Sequence, residues 1–216
     1  GYDRETGEGN ELWSEDFDLI EAFNGSSFDS NRDESVADWF SFLDRDRDMV
    51  VLGSSDNHHL RTGPTGYPRS CLYFGHDDPA SVDPAIVRGA LLDGDVLVSG
   101  GLYVNARGPN GERVGEAVQT SDATVTITVT VQAAGWIPAE TLEVIVNGVT
   151  TETLALEDDL EPGPGQRYEL QVDVPVDATR ARSWVVFHAR ADGDLSPLHP
   201  GKHPFGVTNA LYLVPE

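Results

Sequence analysis

The chain has 216 residues, enough for one large domain or two small ones with a sizeable core. Its 37 acidic and 14 basic residues give a formal charge of −23, with Lys202 the only lysine, and so negative a surface excludes nucleic-acid binding through a basic face. The single Cys71 rules out an intrachain disulfide, and no apolar run reaches the ~20 residues of a membrane span.

The first hundred residues alternate strand and helix signals. Phe17 to Phe23 (FDLIEAF) predicts a strand ending at the turn Asn24-Gly25. Ser30 to Asp33 offers capping side chains before an apolar stripe, Val36, Trp39, Phe40 and Leu43, at helical spacing. Met49 to Leu52 is a continuous apolar run of the buried parallel-strand type. A polar loop follows from Gly53 to Arg69, then a short strand from Ser70 to Phe74. Asp83-Pro84 opens a second helix that closes at Asp93-Gly94, and Asp95 to Ser99 reads as another strand. This is α/β material.

Beyond Gly100-Gly101 the helical signal stops. Residues 123 to 131 (ATVTITVTV) alternate strictly, which marks a half-buried strand of an antiparallel sheet. Thr141 to Val146 and Thr150 to Leu156 flank Asn147-Gly148, a strong hairpin signal. Tyr168 to Val174, Ser183 to Ala191 and Val207 to Val214 supply further strands. About seven strands in this region suggest an Ig-like antiparallel β-sandwich over 101–216, behind an α/β portion over 1–100. No flexible linker separates the two, so they are expected to pack together.

The stretch "GSSDNHHL" (53–60) sets Asp56, His58 and His59 just after the Met49–Leu52 strand. In an extended segment, side chains two apart point the same way, so Asp56 and His58 would project together while His59 points elsewhere. The carboxyl end of a strand is where α/β proteins place ligands. A carboxylate oxygen with an imidazole nitrogen suits Zn²⁺, Mn²⁺ or Fe²⁺. By itself an Asp-x-His is a weak motif, and a solvated polar loop is its ordinary alternative.

The order "IEAFNG" (20–25), a tryptophan-bearing helix, "MVVLGSSDNHH" (49–59), "GPTGYPRS" (63–70), a helix and "DVLVSGG" (95–101) resembles the end of a polymerase-and-histidinol-phosphatase (PHP) domain, in its carbaryl-hydrolase-like (CehA/McbA-type) branch. The ending "HPFGVTNALYLV" (203–214) is similar to that branch as well. The resemblance implies a distorted β/α barrel of which 1–100 would be the C-terminal portion. It also implies a multi-metal cluster with Asp56 and His58 as ligands, and a small-molecule ester or phosphoester substrate. Glu21, Asn24, His59, Arg61 and Arg69 would line the site. The family's N-terminal His-x-His, the Asp-His that follows it and its further ligands have no counterpart here, where the histidines are 58, 59, 76, 188, 199 and 203. Two ligands do not hold a catalytic cluster. The chain therefore reads as a C-terminal fragment that is inactive alone and whose N-terminal barrel half is its missing partner.

Other features weigh less. Asp44-Arg45-Asp46-Arg47-Asp48 resembles the opening of a calcium loop, but Met49 replaces the required glycine and Ser55 the closing glutamate. His199 and His203 lie in a proline-rich loop expected to dock against the first portion, and His188 reads as a structural histidine. Arg61 and Arg69 would hold an anionic group bidentately or pair with the acidic surface. The leading expectation is a fragment of a metal-dependent, phosphoesterase-like hydrolase. The alternatives are a non-catalytic sandwich binding carbohydrate or protein, through its loops at 157–166 and 192–206 and Trp136, or a structural brace for the barrel. A soluble protein, secreted or periplasmic, fits the composition; the opening Gly1 to Glu5 carries no signal-peptide pattern.

Overall fold

The computed structural model describes residues 1–59, 65–156 and 165–216, without the side chain of Gln166. The chain is mostly β, arranged in several sheets. In order, the elements are β1 (Leu19–Asn24), α1 (Phe28–Asn31), α2 (Ser35–Leu43), β2 (Val50–Ser54), β3 (Arg69–Leu72), α3 (Pro84–Leu92) and β4 (Val96–Gly100). There follow β5 (Tyr103–Arg107), β6 (Ala117–Thr120), β7 (Thr124–Ala134), β8 (Thr141–Val146), β9 (Val149–Ala155), β10 (Gly165–Pro175), β11 (Ser183–Arg190), β12 (Phe205–Thr208) and β13 (Leu211–Pro215). Strands β5 and β6 were not expected: both are short, and neither shows a sustained alternation to separate it from a loop.

Three sheets result among the described residues. β1 and β2 form a parallel pair; β10, β7 and β5 form an antiparallel sheet; and β3-β4-β12-β11-β13-β6 run in one path, with β8 also on β11 and β9 on β8. The last sheet runs straight across residue 100, because Leu97 to Gly100 pair with Thr208 to Phe205. Asn147 and Gly148 both take the positive φ that a two-residue hairpin turn needs (47° and 80°), closing β8 onto β9.

The layers explain which positions are apolar. β7 alternates because one face meets solvent, whereas β11 (SWVVFHAR) is buried along almost its whole length. Its even-numbered side chains meet the helices: Trp184 packs on Phe40 with ring centroids 4.8 Å apart, and His188 stacks on Phe28 at 4.2 Å. Strand periodicity sends Val185, Phe187 and Ala189 the other way, into the core shared with Val104, Ile127, Val129 and Val172. α2 is buried beyond its predicted stripe, since Phe42 is covered by Tyr2 (4.5 Å) and Phe17 (6.0 Å) from the N-terminal segment.

The Asp44–Asp48 turn is an ion-paired clasp. Asp44 accepts from Arg180 (3.0 Å) and from Trp184 Nε1 (3.0 Å), while Arg182 bridges Asp46 (2.9 Å) and Asp48 (2.5 Å). The intervening arginines turn to the N-terminal segment: Arg45 donates to the carbonyl oxygens of Arg4 and Glu5, and Arg47 to those of Glu15 and Phe17. Alternating charge thus ties two segments to one turn.

The edge of β2 away from β1 is hydrogen-bonded by side chains instead of a strand. Asn209 Oδ1 accepts from Val51 N (2.7 Å), and its Nδ2 donates to the carbonyls of Val51 (3.1 Å) and Val96 (2.8 Å). Two residues along, Ser70 Oγ accepts from Gly53 N (3.0 Å) and donates to Gly53 O (2.9 Å). A Cβ at Gly53 would run into the side chain of Val98, so only glycine lets β2 approach β4 this closely. The predicted strand 207–214 is consequently two strands, interrupted at Asn209-Ala210 where the asparagine leaves the ladder.

At α3, Asp83 caps the helix by accepting from Ala85 N (2.8 Å) and Ile86 N (2.9 Å). Asp83→Ala is expected to lower stability by about 1 kcal/mol. Urea unfolding should show a lower midpoint with an unchanged slope.

Candidate metal centre

Because β1 and β2 are parallel, their carboxyl ends share one edge, with Asn24 opposite Ser54. Gly25 N donates to Ser54 O (2.8 Å), the Ser54 hydroxyl donates to the Glu21 carboxylate, and Asn24 Nδ2 reaches the same carboxylate at 3.4 Å. Glu21 and Asn24 therefore close the edge from which the Asp-x-His segment leaves.

The segment is not extended there. Asp56 lies in the left-handed region (φ 45°), a conformation that aspartate tolerates better than most residues. With Asp56 in that conformation, Asp56 Oδ1 is 3.7 Å from His58 Nδ1, and both side chains are exposed. His58 Nδ1 also lies 2.6 Å from the backbone oxygen of Asp56. A carbonyl only accepts, so this bond places the proton on Nδ1 and the free lone pair on Nε2, the tautomer a ligating imidazole uses. His59 is exposed, and its backbone N–H is held by Asn57 Oδ1 at 3.0 Å. Asn57 Nδ2 in turn donates to Thr65 Oγ1.

The donor chemistry suits a divalent cation, but the number of donors does not. A held cation needs three or four protein ligands, and no group of three His, Cys, Asp or Glu side chains gathers among the described residues. In the observed rotamer the carboxylate also sits beside Nδ1 instead of Nε2, so both donors meet one cation only after the exposed imidazole rotates. These residues form a corner of a site and do not hold a metal by themselves.

Of the other predicted site residues, Arg69 is exposed and donates to Gly66 O (3.0 Å), and Arg61 lies outside the described residues. The loop at 192–204 does dock against the first portion: Tyr67 Oη donates to His203 O (2.8 Å) and Lys202 Nζ to Gly25 O (3.0 Å). Its two histidines do not converge, since His203 Nδ1 donates to Asp192 O (2.9 Å) while the His199 ring leans on Tyr67 at 5.6 Å. Burial, reinforced by Arg69 and Lys202, pushes the His199 pKa down. Lys202 was not expected at this edge; its being the only lysine was the one sequence signal. In the sandwich region Trp136 is half-exposed, and the 157–164 part of the proposed binding surface lies outside the described residues.

His188 is structural. It is fully buried, and its Nδ1 lies 3.1 Å from Glu143 Oε2. The hydrogen bond to His188, then Arg32 and Arg190, holds the Glu143 carboxyl below its ordinary value of 4.5. A depressed carboxyl stabilises the fold above its unfolded pKa, and that contribution is lost as pH falls through the folded value. Glu143→Gln should therefore weaken the fold at neutral pH and flatten the loss of stability below about pH 4.5, as read from melting temperatures across pH.

No family model matches the chain, and neither a curated protein nor a solved structure matches it.

Proposed function

We propose that the chain supplies the Asp56–His58 corner of the metal site of a PHP-type hydrolase, of the carbaryl-hydrolase-like branch, with the remaining ligands contributed from outside these 216 residues. The observation that carries this reading is an exposed carboxylate beside an exposed imidazole whose Nε2 is left free to ligate, at the carboxyl edge of a two-stranded parallel sheet. Parallel strands belong to larger sheets covered on both faces, so an isolated pair is what the end of a β/α barrel would leave. A bound Zn, Mn or Fe ion in such a site lowers the pKa of its water and polarises the scissile oxygen of an ester or phosphoester. Asp56 provides an anionic oxygen, His58 a neutral nitrogen, and Glu21 with Asn24 fix the edge on which both stand.

The test compares this chain with an N-terminally extended form, by metal content after dialysis and by hydrolysis of generic phosphate esters. The chain alone should be metal-free and inactive, and the extended form should retain metal. An extended form that contains a His-x-His and still retains none contradicts the proposal.

A second role, bracing, is favoured by the sheet that crosses residue 100. Residues 101–216 would then hold β3, β4 and the β1–β2 pair in place. Deleting them should leave residues 1–100 without a cooperative unfolding transition, which calorimetry reads directly.

A further inference from the structure

We propose that Lys202 is the oxyanion-binding group of this site, delivered by the C-terminal loop to the carboxyl edge of the β1–β2 pair, where its ammonium holds a phosphoryl or carboxylate group of the substrate. The proposal rests on reading this edge as the reaction site.

Position comes first. Lys202 Nζ donates to Gly25 O (3.0 Å), and Gly25 N is bonded to Ser54 O, one step before the Ser55-Asp56 turn. The ammonium therefore sits at the same edge as the Asp-x-His segment, reached from a strand-to-strand loop nearly 150 residues further along the chain. It also lies over the Tyr67 ring, 5.4 Å from the centroid.

Charge comes second. The chain has 37 carboxylate residues, and Arg4, Arg32, Arg113, Arg167, Arg180, Arg182 and Arg190 each pair with one or more of them. Among the described residues no carboxylate comes within ion-pair distance of Lys202. Among the described residues, Gly25 O takes one of its three N–H donors and leaves two for another acceptor. Arg45, Arg47, Arg69, Arg88 and Arg107 also lack a carboxylate that close among the described residues; Lys202 differs in standing at the Asp-x-His edge, where a fixed ammonium is the group that favours an anion. Arg69 adds to it, since its charge and that of Lys202 both bear on His199.

Rigidity comes third. The loop around Lys202 is closed by Leu195 N to Lys202 O (2.9 Å) and Lys202 N to His199 O (3.1 Å). The Asp194 carboxylate accepts from Ser196 N (2.6 Å) and Gly201 N (2.5 Å), and Leu195 is buried beneath. Tyr67 Oη holds the next residue through His203 O. A lysine whose only task was to tie a loop down would duplicate these bonds. A point charge on a fixed backbone is suited to an oxyanion.

The experiment is an amide NMR titration of the chain with inorganic phosphate and, separately, with acetate, at constant ionic strength, for the native protein, Lys202→Arg and Lys202→Gln. Saturable shifts are expected at Gly25, Ser54, Ser55 and Lys202, and the tighter anion names the oxyanion class. Lys202→Gln should weaken binding about tenfold or more, with Lys202→Arg within about threefold of native, because the charge and not the packing is lost. No saturable shift at these amides with either anion, or a Lys202→Gln protein that titrates like the native one, overturns the assignment. An Mn²⁺ titration of the same samples separates the two readings. Broadening at His58 without phosphate or acetate shifts removes Lys202 alone, whereas anion shifts without any broadening at His58 remove the metal reading alone.

Discussion

Trp184→Ala is expected to lower stability by about 3–5 kcal/mol, a large share of what a domain of this size possesses. The indole is almost fully buried, packs on Phe40, and donates through Nε1 to Asp44. Truncation leaves a cavity between β11 and α2 and removes a donor to the Asp44 carboxylate, which keeps Arg180. Trp184→Phe keeps most of the volume and loses the hydrogen bond, so it should cost about 1 kcal/mol. Urea midpoints for the two variants measure both terms. A loss under about 1.5 kcal/mol for alanine would mean that the 44–48 clasp and the helices are not docked on β11 as described.

Asn209→Ala is the second large effect. This buried side chain satisfies the N–H and C=O of Val51 and the C=O of Val96, in the gap where β2 meets β4 without a ladder. Alanine abandons the buried N–H and C=O of Val51, each worth about 1–3 kcal/mol when left unpaired, though the costs do not simply add; Val96 O keeps the backbone N–H of residue 209 (3.3 Å). A loss of about 3 kcal/mol is expected, with faster hydrogen exchange at the Val51 amide than at Leu52, which faces β1. Asn209→Asp keeps the shape but turns an acceptor toward two carbonyls, so it should not rescue the loss. Exchange at Val51 unchanged in either variant would contradict the role given to Asn209.

The local patterns were legible in the sequence and the long-range substitutions were not. Thr141–Val146 and the Asn147-Gly148 turn were read correctly because a strand period and a φ preference are properties of neighbouring residues. The stripe of α2 was visible too, but not the second apolar face that Phe42 presents to the N-terminal segment. The break at Asn209 was hidden: it exists because a side chain bonds backbone 158 residues away, and an asparagine between two strand-like runs reads as part of one. The same limit applied at the candidate site. The expected alternation of Asp56 and His58 along an extended strand gave way to a left-handed backbone at Asp56, which side-chain types and spacing do not announce. Lys202 carried a compositional signal only, because nothing local in "HPGKHP" says that the loop ends beside Gly25.

The central claim is that Asp56 and His58 face one cation site; they do not retain a metal by themselves, so paramagnetic broadening, which reads fleeting occupancy, tests it on the chain as it stands. Mn²⁺ added in small steps should erase the His58 imidazole and Asp56 signals first, with Glu21 and Asn24 following, and Asp56→Asn should remove that order. Broadening that begins at another acidic surface, such as Asp93 and Glu116, while His58 stays sharp at all additions would contradict it.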